Sequence, residues 1–260
     1  MSHKLAIIGT DARLVYFQKA VEDKLDARLY PTMTWSQELQ EQLDQFQPDI
    51  IFLPIQPMTT EIPILFPASC NLLFVGKKYE AIDKEISSGD RQVNYYLEDE
   101  EWIWDNANLT AEGFINYFYK IEQQAVYNKE FIITGYGRVG KRLAFALHHL
   151  GAKVIISVRS EHQLFEAKSY GYQYETLDHL LDKDEKDHYY LLNTIPSKWL
   201  SPSDALSFKR VYDLASNPGC LTNTEELPPN YHLSTSLPGM YFPEDAGQLI
   251  ARAVLKHLAL

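Results

Sequence analysis

Apolar positions along the chain fall into two patterns. Short stretches at residues 4–8, 27–30, 50–53, 70–75, 93–97, 131–133, 154–158, 189–192, 211–214 and 231–236 read as strands, that at 50–53 a buried one of four apolar residues. Between them, apolar residues recur at three- and four-residue spacing, the period of helices that cover a sheet. Leu14, Phe17, Val21 and Leu25 form one such stripe, and Leu39, Leu43 and Phe46 form another. Residues 77–86 predict a mostly polar helix. Phe114, Ile115, Phe118, Ile121 and Ala125 mark a long helix that Thr110 would cap, with Glu112 in its first turn. Thr34 with Gln37, and Ser160 with Gln163, have the spacing of capping boxes. A last helix is predicted over 244–258, where Gly247 permits a close approach.

Strands that alternate with helices at this spacing imply parallel, doubly wound sheets. The expected architecture is therefore α/β, with two Rossmann-like domains joined by long connector helices. Residues 1–109 form an N-terminal, substrate-side domain, and 110–260 form a dinucleotide-binding domain with its connector helix. Helix 244–260 is expected to pack back on the first domain.

One stretch carries a motif. The apolar run at 131–133 leads directly into Gly135-Tyr136-Gly137-Arg138-Val139-Gly140, and a helical stripe of Val139, Leu143, Ala146, Leu147 and Leu150 follows, ending at Gly151. This is G-x-G-x-x-G between strand and helix. Gly135 allows the tight turn, Gly137 lets the backbone approach a pyrophosphate, and Gly140 lets helix and strand pack closely. The helix N-terminus then offers free N–H groups and a positive dipole end to the phosphates. A merely structural glycine turn and an S-adenosylmethionine site stay open as alternatives. The next strand ends Val158-Arg159-Ser160, where an NAD site would place a carboxylate for the ribose 2′-hydroxyl. A cation and a hydroxyl there favour NADP over NAD, with Glu161 the residue that argues the other way.

Other strand tips supply further candidates, because ligands of open α/β sheets bind at the carboxyl ends of strands. Asn193, Thr194 and Pro196, then Ala215 and Ser216, are expected to line the cofactor. Asp11 and Arg13 follow the first strand with Thr10, and Gln56, Thr59 and Thr60 follow the 50–53 strand. Arg13 is the expected substrate anchor, helped by hydroxyls of Thr194, Ser216 and Ser234 or Ser236. Asp11 and Glu112 are the candidate proton acceptors. His148, His149 and His232 read as structural.

Composition limits the partners. The chain has 260 residues, 45% hydrophobic and 23% charged, with a formal net charge of −11. That charge repels nucleic acid and anionic membrane surfaces. Its two cysteines, Cys70 and Cys220, form no disulfide framework and no metal-ligand pattern. The apolar run near the N-terminus is too short for a signal peptide, and no run approaches membrane-spanning length. A cytoplasmic homo-oligomer without metal is expected.

Four segments together carry a more specific resemblance: IIGTDAR at 7–13, NTIPS at 193–197, DLASNPG at 213–219 and LPGMYFPEDAGQLIARAVLKHL at 237–258. With them the chain resembles the dipicolinate synthase A family, which is related to the two-domain D-2-hydroxyacid dehydrogenases. The Ala111-Glu112-Gly113 stretch is similar too. The resemblance implies NAD(P)-dependent oxidation of a dihydrodipicolinate, a small dicarboxylate, to dipicolinate. It also implies a role in sporulation with a flavoprotein-like second subunit. The chain departs from the family by being shorter over residues 56–93 and by placing Cys220 where another glycine is expected. A related cyclic imino diacid is the alternative substrate. A non-catalytic NAD(P)-binding subunit or redox sensor that needs a partner protein is the alternative function.

Overall fold

The computed structural model describes residues 3–87 and 90–260. The chain divides into two compact units, residues 1–106 with Phe242–Leu260, and Ala107–Tyr241.

In the first unit the strands are β1 (Lys4–Ile8), β2 (Asp26–Tyr30), β3 (Thr34–Trp35), β4 (Ile50–Phe52), β5 (Thr59–Thr60), β6 (Leu72–Val75) and β7 (Gln92–Tyr95). Helices α1 (Arg13–Val21), α2 (Gln37–Phe46) and α3 (Glu80–Ser87) connect them. Five strands form an all-parallel sheet in the order β2-β1-β4-β6-β7, while β3 and β5 pair separately. Counting only the large sheet, the order is 2-1-3-4-5, the flavodoxin-like variant of the doubly wound fold. Alternate residues of the central strands feed opposite cores. Ala6, Ile8, Ile51, Leu73 and Val75 pack against Trp35, Leu39, Leu43 and Phe46. Leu5, Ile7, Phe52 and Phe74 pack with Leu14, Phe17 and Val21 of α1 and with Ile250, Ala251 and Val254 of the C-terminal helix α10 (Pro243–His257). Burial on both faces is why these strands are continuous apolar runs. A Cβ on Gly247 would lie 2.6 Å from the Arg13 carbonyl oxygen, so only glycine permits the α1–α10 approach.

Helix α4 (Glu100–Glu122) runs without interruption across the division. It starts ten residues before the predicted cap. Asp99 Oδ1 accepts from the Trp102 N–H at 2.8 Å and does the capping, whereas Thr110 is buried in the helix interior. The acidic 98–101 segment forms the entry to this helix because acidic groups favour a helix N-terminus. A second cap differs also: β3 takes Thr34, and Ser36 caps α2 by accepting from Leu39 N.

The second unit contains β8 (Glu130–Thr134), α5 (Arg138–His149), β9 (Lys153–Val158), α6 (Glu161–Ser169), β10 (Gln173–Thr176), α7 (Leu177–Asp182), β11 (Tyr190–Asn193), α8 (Pro202–Leu206), β12 (Arg210–Asp213), β13 (Tyr231–Leu233) and α9 (Leu237–Tyr241). Its six parallel strands follow the order β10-β9-β8-β11-β12-β13. In sequence terms this is 3-2-1-4-5-6, the dinucleotide-binding order. Phe131, Ile133, Tyr190, Leu192 and Tyr212 pack under Phe114 and Phe118 of α4 and Leu143 and Leu147 of α5. Ile132, Leu191 and Val211 pack on the other face with Leu177, Leu180 and Phe208. The architecture is thus α/β with two doubly wound parallel sheets. Among the described residues no helix is long and apolar enough to cross a membrane.

Candidate functional site

In each sheet the strand order reverses once, between β1 and β4 in the first unit and between β8 and β11 in the second. Ligands of open α/β sheets bind at that switch point.

In the second unit the β8–α5 turn occupies the switch point, and its three glycines are required for different reasons. Gly135 has φ +87°, and a Cβ there would stand 2.6 Å from Thr194 Oγ1. A Cβ on Gly140 would meet the Gly135 carbonyl oxygen at 2.3 Å. Both are dictated by the fold itself. Gly137, the N-cap of α5, has φ −83° and nothing within 4 Å of an ideal Cβ. Neither backbone strain nor packing requires glycine there, and the open space lies beside the free amides of the helix start. Tyr136 points the other way: its ring is buried against Tyr172, so burial raises the phenol pKa and only its backbone faces the turn. Arg138 is exposed and Val139 half-buried.

Facing the turn in sequence order are the tips of β11 and β12, and they are tied together from behind. Asn193 and Asp213 are fully buried. Asn193 Nδ2 donates to Asp213 Oδ1 at 2.7 Å and to the Ile195 carbonyl at 3.0 Å. Its Oδ1 accepts from Thr134 Oγ1, Ile195 N and Trp199 Nε1. Asp213 Oδ1 also accepts from Ala215 N at 3.1 Å, while Oδ2 accepts from Cys220 N at 2.7 Å and Tyr231 OH at 2.6 Å. The Asn193 side chain therefore holds the loop in place and has no capacity left for a ligand. Thr194 Oγ1 donates to the Thr134 carbonyl at 2.8 Å. Ala215 is buried, whereas Pro196 and Ser216 are exposed at the tips. Asp213 opens the DLASNPG segment without being expected at the site, and Tyr231 belongs to no motif; the local signal for Asp213 is a charged residue closing the apolar β12.

At the β9 tip, Arg159 and Ser160 are both exposed. Ser160 is the N-cap of α6 but makes no side-chain cap bond, and Gln163 Nε2 donates to the Tyr136 carbonyl at 3.3 Å instead. The expected capping box does not form, because Gln163 reaches across to the glycine turn rather than back to the cap.

The remaining candidates are spread over the chain. Glu112 lies exposed in the middle of α4, not in a first turn, so the helix dipole does not act on it. Ser234 is buried with its hydroxyl 3.3 Å from the His232 carbonyl; Ser236 is exposed with φ +60°. Gln56, Thr59 and Thr60 are exposed, and Thr59 is engaged in the β3–β5 pair through Thr34 Oγ1 and the Met33 carbonyl. Asp11 and Arg13 form an ion pair at the β1 tip, with Arg13 Nε 2.8 Å from Asp11 Oδ1. Burial pushes the Asp11 carboxyl up, but the Arg13 hydrogen bonds and charge outweigh it and hold the pKa below its ordinary 3.8.

His148, His149 and His232 form no part of the glycine turn. His148 and His149 sit in the last turn of α5, packed on Tyr172 and Phe145. His232 lies with its Nε2 2.8 Å from Arg210 Nη1, beside Glu122, which accepts from Tyr212 OH at 2.6 Å. Burial and then the Arg210 charge lower the His232 pKa.

A 3-2-1-4-5-6 sheet with a glycine turn at its switch point has the architecture of dinucleotide-binding domains. Residues 97–185 match the family model described as D-isomer specific 2-hydroxyacid dehydrogenase, NAD binding domain. The chain as a whole is similar to the dipicolinate synthase A chain of Bacillus subtilis (strain 168), with 27% identity over 98% of this chain and 96% of that one. The crystal structure of the corresponding dipicolinate synthase A chain from Bacillus halodurans superposes with a TM-score of 0.79 at 22% identity, covering 99% of this chain and 98% of that chain. The crystal structure of the Bacillus subtilis A chain gives 0.78 at 23% identity, over 100% and 96%. A phosphoglycerate oxidoreductase from Vibrio cholerae shares the fold more distantly, with a TM-score of 0.58 at 16% identity over 99% of both chains. The resemblance carried by the DLASNPG, NTIPS and C-terminal segments thus extends along the full chain.

Proposed function

We propose that the protein is an NADP-dependent oxidoreductase that oxidises a dihydrodipicolinate, or a related cyclic imino diacid, to its aromatic product. The observation that carries this reading is Gly137: glycine is kept where the protein's own backbone and packing would accept a side chain, and a pyrophosphate resting on the amides of 137–140 supplies the reason. The nicotinamide cofactor supplies the hydride acceptor when bound.

The chain's residues then have separate tasks. Gly135, Tyr136, Gly137, Arg138, Val139 and Gly140 present backbone to the phosphates. Asn193 and Asp213 fix the loops carrying Thr194, Pro196, Ala215 and Ser216 at the nicotinamide end. Arg159 and the unbonded hydroxyl of Ser160 suit a ribose 2′-phosphate, since no carboxylate occupies the strand tip. Glu161 follows at the first position of α6, where it suits the helix dipole.

Aromatisation drives the oxidation: one C–H leaves as hydride and one proton is released, so orientation of the ring carries much of the catalysis. Arg13 serves a substrate carboxylate, and Asp11 is the proton acceptor this reading favours over Glu112. By analogy with the similar Bacillus protein, this chain works together with a second, different subunit.

The test is NADPH fluorescence enhancement on the purified protein, followed by turnover of dihydrodipicolinate with NADP+. Arg159→Ala should weaken NADPH about tenfold and leave NADH unchanged, the size of one lost charge-assisted bond. Equal loss for both coenzymes refutes the NADP assignment. Binding without turnover, even when the second subunit is present, favours a nucleotide-sensing role.

A further inference from the structure

Strand β13 is three residues long and lies at the edge of the second sheet, beside β12. So short a ladder holds an edge strand weakly, and side-chain anchors matter correspondingly more. Successive side chains of a strand point to opposite faces. On one face Tyr231 donates its hydroxyl to Asp213 Oδ2 at 2.6 Å. On the other His232 reaches Arg210 and Tyr117. Leu233, which follows, is 56% exposed.

His232 is half-buried against Tyr212 of β12, with ring centroids 5.5 Å apart, and Tyr117 of α4, at 6.5 Å. Arg210 Nη1 stands 2.8 Å from its Nε2. A guanidinium only donates, so Nε2 is the acceptor and the ring proton sits on Nδ1, 3.4 Å from Tyr117 OH. Glu122 of α4 acts on the same ring. Its carboxylate accepts from Tyr190 OH at 3.2 Å and Tyr212 OH at 2.6 Å, and it lies 2.7 Å from Arg210 Nε, which holds the guanidinium against the histidine. Burial first and the Arg210 charge second favour the uncharged imidazole, while Glu122 opposes them in part. The folded pKa therefore lies below the ordinary 6.5.

We propose that His232 is a positioning residue and an acid-sensitive latch: neutral, it pins β13, and a proton gained at Nε2 sets two cations face to face and frees the strand. Tyr231, the preceding residue, then loses its hold on Asp213, which fixes the loop carrying Ala215 and Ser216. That this loop serves a nucleotide rests on the oxidoreductase reading; the latch on the strand does not. By linkage, the stability contributed by neutral His232 is fully present above pH 6.5 and is lost as pH falls from there through the lower folded value.

His232→Gln offers Arg210 a neutral acceptor that does not titrate. Urea denaturation and NADPH fluorescence titration of this variant and the wild-type chain, between about pH 8 and about pH 5.5, span the ordinary histidine range. The ratio of the two Kd values at each pH cancels the coenzyme's own titration. As pH falls, the wild-type denaturation midpoint should drop relative to the variant's, and its NADPH Kd should rise roughly fivefold relative to the variant's, the lower end of coupling between linked sites. Amide hydrogen exchange on the wild-type chain gives the same test without a variant: protection in β13 should fall under acid relative to that in β11. Parallel pH curves for the two chains, a constant Kd ratio, or β13 protection that tracks β11 would overturn the proposal. A wild-type chain that shows the acid step in stability and binds no NADPH at any pH refutes the dinucleotide reading and supports the latch.

Discussion

The two switch points share one topology and are built from different residues. Both consist of an apolar parallel strand, a glycine in the left-handed region and a helix: Gly9 at φ +141° after β1, and Gly135 at φ +87° after β8. In the first unit the space beyond the turn is filled by the protein, since a Cβ on Gly9 would meet Leu14 Cδ1 at 2.7 Å and Pro54 Cβ at 3.2 Å. In the second unit the turn is one residue shorter, carries a second glycine, and leaves nothing within 4 Å of a Cβ at Gly137 beside the first amides of α5. One turn presents side chains of opposite charge and the other presents backbone. The same fold thus offers an ion pair at one switch point and an open backbone turn at the other by changing a few residues after a strand.

Substitutions sharpen this contrast. The largest effect is expected from Gly140→Ala, whose methyl would sit 2.3 Å from the Gly135 carbonyl oxygen and force strand and helix apart. We expect a loss of about 3 kcal/mol in urea denaturation, together with loss of nucleotide binding. A variant of wild-type stability would mean that close packing does not shape this turn. Next is Asp213→Asn, which turns an amide N–H towards donors that now meet a carboxylate oxygen; a buried mispaired group costs about 2 kcal/mol. Its denaturation midpoint checks this, and an unchanged midpoint would show that the loops do not depend on Asp213. The smallest effect is expected from Asp11→Asn. Because the folded pKa of Asp11 lies below 3.8, its stabilising contribution is present above that pH and fades as pH falls through the folded value. The stability gap between wild type and variant should therefore be under about 1 kcal/mol near neutrality, after allowance for solvent screening, and should close under acid. A gap that widens on acidification contradicts the ion pair.

Much of this was legible in the sequence, for definite reasons. The β8–α5–β9 unit could be read because apolar runs, glycine spacing and helical stripe coincide within thirty residues, each a local signal. The start of α4 was misplaced because two capping signals compete: Thr110 looks like a cap, yet Asp99 upstream with Glu100 and Glu101 begins the helix, and burial of Trp102 favours the longer one. The short helices α8 and α9 went unseen since each spans a single turn or so, below the length that periodicity resolves. The Asn193–Asp213–Tyr231 network joins residues up to 38 positions apart through sheet pairing, which no local pattern encodes. The Asp11–Arg13 pair shows a further limit. The arginine could be nominated from its place after a strand, but not the fact that its own neighbour neutralises it.

Gly137→Ala tests the central claim most directly, with thermal denaturation and NADPH fluorescence titration measured on the same preparation. A methyl at φ −83° with nothing within 4 Å should leave the melting temperature unchanged or slightly raised, while the Kd for NADPH rises at least tenfold, about 1.4 kcal/mol. A variant that binds NADPH as well as the wild-type chain, or a wild-type chain that does not bind it, would contradict the account.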